Sequence, residues 1–319
     1  MRDVETLWAN FKSPIVSADD YLASLRGRSM NVFFMGQRVT EPVDHPVIFP
    51  SINAMAETYR LASEHPELAA VKSDIAGGLT NRFLHVPRKP DDLVRKHEMQ
   101  RELGRRTGTC FQRCVGMDAI SSCHSVTFDV DAEHGTDYHR RFLAFLKRAQ
   151  VANIVIGGAM TDPKGDRSKP PHQQVDPNLF LHVIHRDESG IYVSGAKMHQ
   201  TGAVNSHWLI FMPTMRMTEA DREWSVVGAG KLENGLLIRD DPGELPFEGK
   251  LGNRVAARRL QEVRPSCLGR LGRSQCLRPR LVSVRPIRLK LAVPTSSLDR
   301  WPQAQTKPAE WCELLHTGR

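Results

Sequence analysis

The spacing of apolar residues changes type near residue 150, and that change limits the folds open to this chain. Before it, apolar side chains recur at helical intervals. Ser17-Ala18-Asp19-Asp20 sets a capping hydroxyl and two acids ahead of Tyr21, Leu22 and Leu25. Pro50-Ser51 precedes Ile52, Met55, Ala56 and Tyr59, and Pro90-Asp91 opens a helix through Leu93, Val94, His97 and Leu103. A further helix is predicted over 138–150, with Phe142, Phe145 and Leu146 inward. After residue 150 the apolar runs are short. Strands are predicted over 153–158, 179–184, 191–194, 208–211 and 224–227, and the turn Asp187-Glu188-Ser189-Gly190 makes a hairpin of the second and third. Helices first and strands second predict an α+β fold: a helical domain over 1–150 and a β-domain over 151–250.

A third change falls near residue 245. The segment 264–300 is dense in Arg, Pro, Leu, Ser and Cys, and holds no strand candidate longer than 281–284. The chain's formal charge of +8 sits entirely in this part: residues 1–230 carry 27 basic and 27 acidic side chains, and residues 231–319 carry 17 and 9. A basic tail can bind nucleic acid through phosphates. Here the arginines follow no helical phase and are interleaved with no aromatic platform, so residues 251–319 are expected to be a disordered or aberrant tail instead. Six cysteines among 319 residues make no disulfide scaffold and suit a reducing cytoplasm. The start Met1-Arg2-Asp3-Val4-Glu5 does not resemble a signal peptide, and the longest apolar run, 151–160, is too short to span a bilayer.

Three constellations can carry chemistry. Cys110 and Cys114 are four apart. In a helix capped by Thr107-Gly108-Thr109 they would share one face, a turn apart, and supply half of a four-ligand metal site. Spacing alone favours two small buried residues over a metal site, since free cysteine packs as a hydrophobe. Cys123 falls half a turn away from that face and is expected to be structural. The second constellation is Gly157-Gly158-Ala159-Met160-Thr161-Asp162-Pro163-Lys164-Gly165-Asp166-Arg167, a strand ending in a Gly-rich polar turn. It can hold an anion or a polar ring edge, or be an ordinary turn; its spacing is neither a Walker loop nor a dinucleotide fingerprint. The third, Lys197-Met198-His199-Gln200-Thr201-Gly202-Ala203-Val204-Asn205-Ser206-His207, is dense enough in hydrogen-bonding groups for a cofactor rim, or is a hairpin loop satisfying its own backbone.

Together these blocks resemble the flavoprotein family of 4-hydroxyphenylacetate 3-monooxygenase, and within it the 4-hydroxybutyryl-CoA dehydratase (vinylacetyl-CoA isomerase) branch. The matching stretches are Pro42-Val43-Asp44-His45-Pro46, Pro50-Ser51-Ile52-Asn53-Ala54, Cys110-x3-Cys114, Thr161-Asp162-Pro163-Lys164-Gly165-Asp166-Arg167, Gln174-Val175-Asp176-Pro177 and Gly195-Ala196-Lys197-Met198-His199-Gln200-Thr201-Gly202-Ala203. The cysteine pair selects the dehydratase branch, because the monooxygenases carry no cluster.

The resemblance implies an acyl-CoA-dehydrogenase-like fold that binds FAD between a helical domain, a β-domain and a C-terminal helical bundle. It implies a second cofactor, a 4Fe-4S cluster, and an acyl-CoA substrate: dehydration of 4-hydroxybutyryl-CoA to crotonyl-CoA, with isomerisation of vinylacetyl-CoA. By the same resemblance Cys110 and Cys114 are cluster ligands and Gln112 lies near the reacting centre. Met160, Thr161, Asp162, Pro163, Lys164, Gly165, Asp166, Arg167, His199, Gln200 and Thr201 contact flavin, with Thr201 close to the reactive ring edge. Homotetrameric assembly is also implied. The family's other two cluster ligands, a His and a Cys, belong to the region after residue 245, and its bundle follows. Cys267, Cys276, Cys312 and His316 do not reproduce their spacing, and the bundle is missing. The expectation is therefore an impaired copy whose tail is a frameshifted reading of a truncated gene, which translating the other two frames tests. The rival readings are an FADH2-dependent aromatic hydroxylase acting on a phenolic substrate, and a non-enzymatic binding module with a basic tail.

Overall fold

The computed structural model describes residues 8, 9, 11, 13–187, 190–200, 202–215, 217–232 and 236–240, with two strands at 282–284 and 287–289. Helices dominate the first 152 residues. α1 (Ala18–Leu25) opens on the expected capping box: Asp20 N donates to Ser17 Oγ at 3.0 Å and Ser17 N to Asp20 Oδ2 at 3.0 Å. Two orphan amides are thereby satisfied, a gain of about 1 kcal/mol. α2 (Phe49–Glu64) buries Ile52, Met55, Ala56 and Tyr59, the stripe read from the sequence. α3 (Pro66–Ala69) is a single turn. α4 (Pro90–Thr107) has Pro90 and two acids in its first turn, Arg105 and Arg106 in its last, and ends at Gly108, whose φ of +60° suits a residue without Cβ. α5 (Cys114–His134) and α6 (Tyr138–Ala152) complete the set.

Two expectations for this half need correction. It is not purely helical: β1 (Asn31–Phe34) pairs with β2 (Gln37–Val39), and β3 (Ala70–Ser73) with β4 (Gly78–Asn81). These strands are three or four residues long, too short for alternation to register. And α4 turns Asp92, Lys96, Met99 and Leu103 inward, leaving Leu93 and Val94 half exposed. Hydrogen bonding overrides hydrophobicity there, because Asp92 Oδ2 caps the helix by accepting from Arg88 N at 2.8 Å.

The second half carries β5 (Ile156–Ala159), β6 (His182–Asp187), β7 (Gly190–Ser194), β8 (Trp208–Phe211), β9 (Gly228–Lys231) and β10 (Leu236–Asp240). β6 and β7 form the predicted hairpin, and β8 pairs parallel to β5 and antiparallel to β9. The strand expected over 224–227 is instead the end of a 3-10 turn, Glu219–Trp224, with β9 starting four residues later. Thr218 caps that turn through Asp221, and local capping wins over the β-favouring Trp and Val. β10 lies parallel to β1, so the two halves share a sheet. β11 (Val282–Val284) pairs with β10 and β12 (Ile287–Leu289) with β7. Apart from these, the expected disordered or frameshifted tail lies outside the described residues.

One hydrophobic cluster joins both halves. It includes Tyr21, Ile52 and Tyr59 from the helices and Val155, Ile156, Trp208 and Ile210 from the sheet. Its tightest point is Gly116 of α5: a Cβ there would lie 1.8 Å from Ile156 O. No side chain fits, so α5 rests its backbone on β5 and brings Cys114 beside the strand that leads into 160–167. Among the described residues no helix is long and apolar enough to cross a membrane.

Candidate functional site

The cysteine pair does not lie on one helix. Gly108 terminates α4, residues 109–113 run as an irregular turn, and Cys114 is the first residue of α5. Thr107-Gly108-Thr109, expected to cap the cysteine helix, closes the preceding one. The turn is sharp because Gln112 adopts φ +61°. Gln112 N donates to Cys110 Sγ at 3.4 Å, and Cys114 acts electrostatically on the same sulfur. The influence of Cys114, aided by the Gln112 amide, draws the Cys110 thiol down to about 6 against the opposing effect of burial. The interaction with Cys110, reinforced by burial, pushes Cys114 well above the usual thiol range. Cys110 is exposed, which overturns the reading of two buried hydrophobes. Cys123 is buried, its thiol pushed up to about 12, as a structural residue should be.

Cys110 opens onto a cleft of about 220 Å³ whose lining includes Ser51, Asn53, Glu57, Arg106 and Gln112. The Gln112 amide forms the inner wall. Its Nε2 donates to Ser51 Oγ at 2.7 Å, and its Oε1 accepts from Ser51 Oγ at 2.9 Å and from Asn205 Nδ2 at 2.7 Å. Asn205 Nδ2 also donates to Ser51 Oγ at 2.7 Å, and Tyr21 OH holds Asn205 O at 2.7 Å. A Cβ on Gly202, where φ is +81°, would come within 3.1 Å of Gln112 Cβ. The turn carrying the thiols is thus packed on the 199–207 loop, some ninety residues away in sequence. The next residue, Arg113, is fully buried between the rings of Tyr59 and Phe83, and its guanidinium donates to Thr58 Oγ1 at 2.9 Å. Burial lowers its pKa from the usual guanidinium value.

The strap 160–167 leaves the end of β5 and is pinned at two places. The buried Lys197 ammonium donates to Asp162 Oδ1 at 2.5 Å, Met212 O at 2.7 Å and Met160 O at 3.2 Å. Asp162 Oδ2 accepts from Thr214 N and Oγ1. Farther along, the Gln174 side chain accepts from Asp166 N at 2.9 Å and donates to Asp166 O at 2.8 Å. A Cβ on Gly165 would strike Gln174 Oε1 at 2.2 Å, so glycine is what permits this clasp. Pinned in this way, the strap exposes Thr161, Lys164, Asp166 and Arg167 and half-buries Met160, while Pro163 is buried. Met198 N donates to Thr161 O at 2.7 Å, which brings His199 and Gln200 alongside. His199 is exposed at φ +53°; Gln200 is buried, with its amide on Met198 O at 2.6 Å. Thr201 lies outside the described residues. Asp162 and Gln200 therefore build the strap and the loop, and the exposed side chains of these segments are Thr161, Lys164, Asp166, Arg167 and His199.

His207 anchors the far end of the loop. Val155 N donates to its Nδ1 at 2.9 Å, leaving Nε2–H to donate to Ser24 Oγ at 2.9 Å. Burial, with the nearby Arg28, Arg113 and Lys231 charges, holds its pKa well below the usual imidazole value, so it is a neutral core group.

Ser51, Asn205, Lys197 and Arg113 carry this geometry and were not among the residues singled out as site residues. Lys197 and Asn205 did lie in the hydrogen-bonding run 197–207, and Ser51 in a stretch that carries the resemblance. Among the described residues no three His, Cys, Asp or Glu side chains converge as a metal site.

Residues 17–235 match the family described as the 4-hydroxyphenylacetate 3-hydroxylase N-terminal region. The 4-hydroxybutyryl-CoA dehydratase/vinylacetyl-CoA-Delta-isomerase of Clostridium aminobutyricum is 47% identical over 214 residues, covering 66% of this chain and 44% of that protein. The oxygenase component of 4-hydroxyphenylacetate 3-monooxygenase from Thermus thermophilus is 24% identical over 241 residues, 74% of this chain and 49% of its own. Among solved structures, an oxygen-tolerant archaeal 4-hydroxybutyryl-CoA dehydratase from N. maritimus superposes with a TM-score of 0.69 at 59% identity, over 70% of this chain and 45% of that one. The oxygenase component complexed with FAD and 4-hydroxyphenylacetate gives 0.59 at 18% identity, over 87% and 54%, a likeness of fold. The chain thus spans less than half the length of the dehydratases it matches. Its mixed helix-and-sheet fold is theirs, and the chain belongs to the 4-hydroxyphenylacetate 3-hydroxylase N-terminal family.

Proposed function

We propose that residues 17–235 form the flavin-facing part of a 4-hydroxybutyryl-CoA dehydratase-type enzyme, acting on an acyl-CoA thioester. The observation that carries this reading is the packing of the Cys110–Cys114 turn onto the 199–207 loop through Gln112, Gly202 and Asn205. An enzyme that works a thiol-ligated cofactor and a flavin on one substrate needs these two segments adjacent.

The strap fits FAD. Lys164 and Arg167 are exposed cations beside the exposed Thr161 hydroxyl, on a backbone fixed by Lys197 and Gln174, so a polar or anionic ligand meets donors that are already ordered. FAD, when bound, supplies the electron-transfer chemistry that amino-acid side chains lack. In this reading Lys164, Arg167 and His199 would hold the flavin, the resemblance assigns the same task to Thr201, and Gln112 would line the substrate's side of the cleft. Cys110 and Cys114 fit two positions of a 4Fe-4S cluster, whose remaining ligands would come from outside the described residues.

Identity favours the dehydratase branch over the aromatic hydroxylases, and so do the paired thiols. Anaerobic reconstitution of the full chain with ferrous iron and sulfide separates the two. The dehydratase reading expects bound iron that Cys110→Ser and Cys114→Ser each abolish. Iron retained by both variants, or none bound by any form, sinks the cluster assignment.

A further inference from the structure

A second cavity, of about 410 Å³, lies beside the end of α1, and none of the residues proposed for flavin, substrate or iron lines it. It occupies the opposite end of the β5–β8–β9 sheet from the 160–167 strap. Val155 N donates to His207 where β5 and β8 begin, Lys231 pairs with Trp208 at the same edge, and the strap leaves β5 at its other end, Ala159. About 16 Å of extended chain separates Val155 from Met160. We propose that this cavity binds a small phosphate ester of nucleotide size, with Arg28 and Lys231 holding the phosphate. The inference stands apart from the flavoenzyme reading, since it needs neither FAD nor a cluster.

The walls carry charge of one sign. Arg26, Arg28 and Lys231 line the cavity, and no described lining residue is acidic. Arg26 is directed away, its guanidinium forked on Asp44 at 2.8 and 2.9 Å, and Gly27 N donates to Glu41 Oε2 at 2.9 Å, so charge is balanced along that edge. The positive excess lies on the side of Arg28 and Lys231. Carbonyls hold Arg28 in place: Nε donates to Leu25 O at 3.2 Å, Nη1 to Ser206 O at 2.6 Å and Nη2 to Val204 O. Carbonyls are neutral, so these bonds fix the guanidinium without cancelling its charge, and an anion meets an ordered cation. Lys231 Nζ lies 5.6 Å from the centre of the Phe11 ring, another lining residue. Buried His207 forms the floor and donates through Nε2 to Ser24 Oγ. Burial first, then the charges of Arg28, Arg113 and Lys231, keep its ring neutral, so both cations of the cavity act on one point.

Two cations against neutral walls match a phosphate monoester, which carries about −1.5 to −2 charges at neutral pH. The volume points to an ester and not to a bare phosphate ion: it falls within the size range of small-molecule sites, and Phe11, Ala23 and Leu232 give the organic part an apolar wall. Arg28 also ties this cavity to the 199–207 loop. It holds Val204 O and Ser206 O, the residues on either side of Asn205, whose amide supports Gln112.

The test is calorimetric titration of the full chain at low ionic strength with adenosine monophosphate, and with adenosine as its uncharged counterpart. The expected result is saturable binding of the monophosphate, none of adenosine, and an affinity that falls as salt is raised. Lys231→Met should weaken binding by about tenfold, the worth of one charge-assisted hydrogen bond, and Lys231→Arg should retain it. Arg28 is left unaltered because it also holds the loop. Lys164→Ala with Arg167→Ala, which removes the strap cations, should bind the monophosphate as the unaltered chain does. No binding by the unaltered chain, equal binding of adenosine, full affinity in Lys231→Met, or binding lost with the strap cations overturns the proposal. The comparison of monophosphate with adenosine needs no variant, so it decides even if Lys231→Met does not fold. Failure here leaves iron uptake and FAD binding untouched, so it is distinguishable from failure of the functional reading.

Discussion

Replacing Lys197 with methionine removes the charge that holds the 160–167 strap while keeping most of the side chain's bulk. The ammonium spends three donors on Asp162 Oδ1, Met160 O and Met212 O, and it is almost completely buried. Its loss leaves two carbonyls unmatched and strands a carboxylate that keeps only its bonds from Thr214. Breaking a buried ion pair by deleting one partner costs about 3–5 kcal/mol. That is a large fraction of the roughly 5–15 kcal/mol that keeps a domain folded. With a urea dependence of about 3 kcal/mol per molar, the unfolding midpoint should fall by about 1 M or more. Trp208 and Trp224 are fluorescent reporters in the same half of the chain. Lys197→Met paired with Asp162→Asn removes the stranded charge and should recover part of the loss, a coupling that a double-mutant cycle measures. A midpoint within about 0.2 M of the unaltered chain would refute the argument, as would full additivity of the two changes.

Three further outcomes follow from particular contacts. Gly116→Ala places a methyl 1.8 Å from Ile156 O and must push α5 off β5; it should cost at least about 1–3 kcal/mol and lower the melting temperature, whereas an unchanged melting point would mean that the two elements are not in contact. Asn205→Ala leaves Gln112 Oε1 and Ser51 Oγ each short of one donor and should destabilise by about 1–3 kcal/mol in the same assay; a neutral effect would place Gln112 elsewhere. Lys96 is buried, which lowers its pKa to about 8 despite Asp118 and Asp92 nearby. The unfolded chain releases that proton at about 10.4, so between about pH 8 and 10 the unfolded state holds more protons and stability should rise with pH. Denaturant titrations across that window should show the rise in the unaltered chain and its absence in Lys96→Met.

Much of the architecture was legible because it rests on long periodic stripes and local punctuation. Ile52, Met55, Ala56 and Tyr59 repeat over about two turns, Ser17 and Asp20 signal a helix start at close range, and the hairpin of β6 and β7 is announced by its turn. What escaped was either too short or non-local. β1 to β4 offer three or four residues each, and β1 finds a partner in β10 two hundred residues away. Asp92 and Lys96 are polar residues turned inward by capping and charge, against the hydrophobic spacing. The cysteine spacing was visible, but helical geometry was the wrong inference from it. Gly108 and Gln112 at positive φ bend the chain there, and glutamine gives little warning of such a conformation. The clasp of Gln112, Ser51 and Asn205 joins three distant segments, and no local pattern announces that they meet.

The central claim is that the pinned strap presents Lys164 and Arg167 to a flavin. Equilibrium titration of the full chain with FAD under anaerobic conditions, followed by flavin fluorescence, tests it most directly. The account predicts saturable binding of one FAD per chain. The exposed pair Lys164→Ala with Arg167→Ala should weaken that binding by about tenfold, which corresponds to about 1.4 kcal/mol, with the unfolding midpoint unchanged. Binding that is absent, or that is indifferent to the loss of both cations, would contradict it.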